Sequence, residues 1–146
     1  YSEITDMNAM FESCSDLKII PLIDTSNVTD MSSMFADCEN FKTIPLLDTS
    51  NVTRMCDMFF GCKSLKTIPL FDTSKVINIA WMFFGCSSLE TVPDLNIISV
   101  SVSGNARYMF DKCSNIKNIN PYNFKYVNWA DVLAPHIMDK YPELYI

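Results

Sequence analysis

Apolar positions along the chain change spacing within every 24 residues. Met31, Met34, Phe35 and Cys38 stand at i, i+3, i+4 and i+7, the stripe an amphipathic helix turns toward a core. The spacing predicts a short inward-facing helix. Thr29 or Asp30 is its expected cap, because either side-chain oxygen can accept the free amide protons of a first turn. The pattern then becomes extended: Phe41, Ile44 and Leu46 share the L-x-x-I-x-L spacing of Leu17, Ile20 and Leu22, and of Leu65, Ile68 and Leu70. This is the strand spacing of a leucine-rich repeat. Pro21, Pro45, Pro69 and Pro93 each remove a backbone donor, so the predicted parallel sheet is short. An Asp-Thr-Ser turn closes the period, its Asp and Ser bonding their own backbone.

The period itself predicts the architecture. Met-Phe pairs recur at Met10-Phe11, Met34-Phe35, Met58-Phe59, Met82-Phe83 and Met109-Phe110, at intervals of 24, 24, 24 and 27, with Cys14, Cys38, Cys62, Cys86 and Cys113 in the same register. One coil cannot bury its apolar face alone, whereas stacked coils bury one another's. The expected fold is therefore a right-handed α/β solenoid of the leucine-rich type. It has about five 24-residue coils, the first entered midway, with short parallel strands on one face and short helices on the other. The three extra residues of the last interval fall in "NIISVSVSGNA", where the Asp-Thr-Ser turn is lost and a loop insertion is expected.

The solenoid is expected over residues 1–119, and residues 120–146 form an aromatic-rich C-terminal cap. In that tail Asn128 is placed to cap a short helix over "WADVLAPHIMDKY", with Pro135 limiting it. No cap is visible before the first coil, which implies missing upstream residues, end-to-end self-association through that coil, or fraying. The chain starts with Tyr1, as a fragment or processed product would.

"DTSNVTDMSSMFADCENFKTIP" resembles the BspA-like leucine-rich repeats of bacterial surface proteins, including the lipoprotein surface-repeat group with D-T-S-N-V-T-x-M-x-x-M-F-x-x-C units. The resemblance covers residues 1–119; coil five departs from the pattern and the tail lies outside it. It implies a solenoid at a bacterial cell surface or associated with a virion, often linked to adhesion, and it carries over no catalytic residue.

Composition narrows the function. With 49% hydrophobic residues the chain can bury a core, and its net charge of -6 argues against nucleic acid, which needs a concentrated basic surface. There is no 18-residue apolar run and no charged segment leading an apolar one, so neither a membrane span nor a targeting signal is visible.

The candidate chemistry is sparse. The five in-register cysteines lie on the Met-Phe stripe, where a small buried thiol fits and parallel stacking disfavours a disulfide. Cys56 lies off the stripe and is the one expected to react. Met-x-x-Met-x-x-x-Cys offers soft sulfur to Cu(I), but core packing already explains the spacing. Asp24, Asp48 and Asp72 could line up for Ca²⁺, yet turn capping accounts for them more simply. No metal or cofactor is expected. His136 is the single histidine and has no nucleophile beside it, so an enzyme would need groups from outside this chain. Asn27 and Asn51 head Asn-x-Thr sequons, which matter only in a eukaryotic secretory pathway.

Two outward features remain. Lys18, Lys42, Lys66 and Lys117 share a column interrupted by Glu90, able to meet an anionic glycan or acidic protein, though a solvated face is the preferred reading. Trp81 and Tyr108 stand where earlier coils carry Ala9, Ser33 and Asp57, and Phe60 and Phe84 where others carry Glu12, Ala36 and Asp111. These aromatics form a partner-binding patch, or else the tail, with Tyr122, Phe124, Tyr126 and Trp129, folds over them. The sequence thus points to a non-enzymatic module binding a protein or glycan, the alternative being a spacer or virion component with no ligand of its own.

Overall fold

The computed structural model describes residues 3–100, 103–117, 119–120, 132 and 135–140. Its coils stack at the predicted period, but the Met-Phe segment is not a helix. It is a run of tight turns. In coil two the amides of Met34, Ala36 and Cys38 close i→i−3 bonds onto Met31, Ser33 and Phe35 at 3.2, 3.1 and 3.1 Å. The intervening amides of Met31, Ser33, Phe35 and Asp37 instead donate to Arg54, Cys56, Met58 and Phe60 of the next coil at 2.6–3.0 Å. An α-helix would consume all of these donors internally. Left-handed backbone at Ser33 and Asp37 (φ 58° and 59°) turns every second amide outward to the neighbour. The same column is left-handed at Gly61 and Gly85, where glycine adopts it without strain.

The interior spacing of the extended segment also differs from the predicted one. Phe41, Ile44 and Leu47 point inward, as do Leu65, Ile68 and Phe71, and Leu89, Val92 and Leu95. The period is three, not the mixed L-x-x-I-x-L. A three-residue repeat suits polyproline-II-like backbone, which needs no ladder and tolerates proline. Consequently Leu22, Leu46 and Leu70, expected inside, are exposed at 103%, 69% and 62%. Parallel bridges occur elsewhere, joining Asp6, Asp30, Arg54 and Asn78 in one row.

Stacking lines up like with like. Phe11, Phe35, Phe59, Phe83 and Phe110 form a continuous column, with ring centroids 5.5–5.8 Å apart and planes within 5–10° of parallel. Beside it each buried thiol donates to the phenylalanine carbonyl of the preceding coil: Cys38 to Phe11 (3.1 Å), Cys62 to Phe35 (3.1 Å), Cys86 to Phe59 (3.0 Å) and Cys113 to Phe83 (2.8 Å). All six cysteines are free. Burial pushes the Cys38 thiol up to about 11 and those of Cys62 and Cys113 up to about 12, and raises Cys86 as well, which keeps them protonated. Cys14 departs from the expectation. It is exposed, whereas Cys38, Cys62, Cys86 and Cys113 are buried.

The corners are side-chain turns. Asp24, Asp48 and Asp72 each accept, through Oδ1, the amide (3.0 Å) and hydroxyl (2.6 Å) of the serine two residues on. Those bonds hold the three carboxyls below the usual range. Coil four closes on the same corner, contrary to expectation: Asn96 Oδ1 accepts the Ile98 amide at 3.0 Å. The insertion comes later, around the 3₁₀ turn Ser103–Ala106. Beyond the coils, Phe110 N donates to Val132 O at 3.3 Å, and Val132, Ile137 and Met138 join the core cluster, the last two from the short helix Pro135–Met138, α1. The tail aromatics and Asn128 lie outside the described residues.

Candidate binding surfaces

The turn geometry decides which side chains leave the core. Ala9, Ser33, Asp57, Trp81 and Tyr108 occupy one left-handed column, with φ between 55° and 63°. A left-handed backbone suits glycine or asparagine and strains a bulky residue by roughly 1–2 kcal/mol. Trp81 and Tyr108 accept that strain, and their rings meet with centroids 4.6 Å apart. Phe84 packs against Trp81 at 5.1 Å and stacks on Phe60 at 4.9 Å, with Phe60 6.4 Å from Trp81. The four aromatics therefore form one continuous cluster across coils three to five. Phe60, Trp81 and Phe84 are half-buried and Tyr108 is 41% exposed.

The surroundings of the cluster are acidic at one edge. Asp57 precedes Trp81 in its column, and partial burial, with Glu12 nearby, raises its carboxyl above the usual range. Asp37 lies across Gly61, its Oδ1 occupying the space that a Cβ on that glycine would need.

The lysine column is a separate surface on the extended face. Lys18 and Lys42 line a shallow recess with Asp16, Asn40 and Thr43. Lys117 is drawn into an ion pair with Glu90 at 3.6 Å, so it is not equivalent to the other three. Cys56 is half-buried, its thiol donating to Ser32 Oγ at 3.0 Å with an Arg54 guanidinium nitrogen 3.9 Å away. Among the described residues no three His, Cys, Asp or Glu side chains converge as a metal site would require. His136 lies in α1, its side chain outside the described set. No helix among the described residues is long and apolar enough to cross a membrane.

The sequence matches the family DUF285, described as a Mycoplasma protein of unknown function, over residues 1–46 and 42–134. The chain belongs to that family. No curated protein matches the sequence. The T. pallidum leucine rich repeat protein superposes on this DUF285 chain with a TM-score of 0.59 at 15% identity, over 87% of this chain and 56% of that one. The likeness assigns the fold to the leucine-rich-repeat solenoids. A leucine rich cell surface protein from Faecalibacterium prausnitzii aligns at 28% identity and a TM-score of 0.47, over 58% of this chain and 22% of its own. A leucine-rich repeat protein from Bacteroides ovatus aligns at 21% identity and 0.35, over 70% and 37%. The DUF285 chain spans only 22% and 56% of the lengths of the first two. The DUF285 match and the fold shared with the T. pallidum protein agree with the BspA-like resemblance of the repeat unit.

Proposed function

We propose that this chain is a non-enzymatic binding module of an exterior bacterial surface, engaging a protein or glycan partner through Phe60, Trp81, Phe84 and Tyr108. One observation carries the reading: two bulky aromatics hold a left-handed backbone in a column where the first three coils carry Ala9, Ser33 and Asp57. Every coil holds that left-handed backbone whatever residue it carries, so the turn itself does not call for an aromatic there. Aromatic rings also supply large contact area with little side-chain entropy to lose, which is why they dominate binding energetics.

A screen of surface proteins and glycans from host cells, with wild type beside Trp81→Ala/Phe84→Ala, tests the proposal. Association should be lost in the double variant while the thermal midpoint changes little. A double variant destabilised by several kcal/mol would mean that the rings serve as buried packing, since removing a buried aromatic costs about 3–5 kcal/mol. The lysine face of Lys18, Lys42 and Lys66 would then take first place as the partner surface.

A further inference from the structure

Coil four departs from coils one to three at three outward columns together. Lys18, Lys42 and Lys66 give way to Glu90, Leu22, Leu46 and Leu70 to Asp94, and Asp24, Asp48 and Asp72 to Asn96. The inward positions between them keep their character, because Leu89, Val92 and Leu95 remain apolar and buried. Packing therefore does not dictate the change. The corner does not dictate it either: Asn96 accepts its turn amide at 3.0 Å, as Asp72 does, so the turn needs an oxygen but no charge. Three rows that end at one coil behave as one surface.

The rows run side by side along the stack in the order lysine, leucine, aspartate. Their leucines are exposed, and Ile19 beside them is 79% exposed. Lys18, Lys42 and Lys66 make no ion pair among the described residues, and neither do Asp24, Asp48 and Asp72. Two other charges border the face: Asp16 in the lysine recess, and Lys75, whose field acts on Asp72. Unpaired opposite charges flanking an apolar ridge complement the same face of another molecule.

We propose that this face docks a second copy of the chain, with the solenoid axes parallel and the leucine rows packed together. The lysine row of each copy then meets the aspartate row of the other. Symmetry selects this arrangement. A two-fold axis along the stack exchanges the two sides of the face and sets lysine opposite aspartate; an axis across the stack would set lysine opposite lysine. Three short rows lie at the small end of interface sizes, so the dimer is weak and salt-sensitive. The docking face lies on the opposite type of segment from the aromatic cluster and does not depend on it.

Sedimentation equilibrium up to about 500 µM, at low and high salt, tests the docking. The expected result is a monomer–dimer equilibrium weakened by salt. Leu46→Glu should raise its Kd by about tenfold or more, and Lys42→Glu should act in the same direction, with circular dichroism unchanged because both side chains are already exposed. Leu70→Glu provides a second variant should Leu46→Glu fold poorly. In a Cys14→Ser/Cys56→Ser background, oxidised Leu46→Cys should cross-link to itself, and a mixture of Leu22→Cys and Leu70→Cys should join 22 to 22 and 70 to 70 but not 22 to 70. Overturning results are a monomer at every concentration, a dimer indifferent to both glutamates, preferred cross-linking of position 22 to position 70, or a monomer that instead floats with anionic vesicles.

Discussion

Coils two and four share an interior and differ outside. Phe35 and Phe83 occupy the same stacked column, Cys38 and Cys86 make the same thiol-to-carbonyl bond, and Phe41, Ile44 and Leu47 are matched by Leu89, Val92 and Leu95. On the extended face coil two shows Lys42, Leu46 and Asp48 where coil four shows Glu90, Asp94 and Asn96; on the turn face it shows Ser33 and Ala36 where coil four shows Trp81 and Phe84. Stacking fixes an interior residue through both neighbours, so it is copied. An outward residue is released from that constraint and is free to differ from coil to coil.

The comparison is most exposed to test in the aromatic column. Phe35→Ala and Phe83→Ala should each destabilise the protein by about 3–5 kcal/mol, because each removes a fully buried ring between two stacked neighbours. Denaturant unfolding would show near-equal losses. A much smaller loss at Phe83 would mean that the interiors of the two coils are not equivalent.

Exchanging outward residues should have a smaller effect and a different sign of information. Trp81→Gly should be more stable than Trp81→Ala by about 1 kcal/mol, since glycine alone holds φ 63° without steric strain. Equal stabilities would show that the backbone relaxes and that the column does not demand the left-handed form.

The smallest effect is expected at the corners. The serine bonds lower the folded-state titration of Asp24, Asp48 and Asp72 below the ordinary value of 3.8. Their contribution is therefore present above that value and is lost as pH falls through the lowered one. Asp48→Asn, which installs the coil-four chemistry, should flatten the acid limb of a stability–pH curve and leave stability near neutrality almost unchanged. An unchanged acid limb would show that the corner bonds do not distinguish the ionised form.

Much of this was legible from residue columns. The period, the five coils and the unbridged cysteines follow from positions alone, because a stack must repeat its interior. The local backbone was harder to read. Met31, Met34, Phe35 and Cys38 suit a helix and a run of turns equally well, and only Gly61 and Gly85, in the column of Asp37, hinted at left-handed backbone. Leu46 and Leu47 are adjacent and both apolar, so periodicity did not decide which faces inward. That ambiguity hid the exposed leucine row, while the aromatic cluster stood out because its columns are otherwise small or polar.

Alternate backbone amides of the turn face all donate in the same direction along the stack. Met7, Ala9, Phe11 and Ser13 donate to coil two, and the corresponding amides of each later coil donate to the one after it. As the chain leaves the ribosome, the youngest coil always holds donors whose acceptors have not yet been made. Each new 24 residues completes the coil before it and exposes its own unfinished edge. Val132, accepting from Phe110, supplies an acceptor after the last repeat. A ribosome stalled before that residue would present an unsatisfied row of amides, open to pairing with a neighbouring nascent chain.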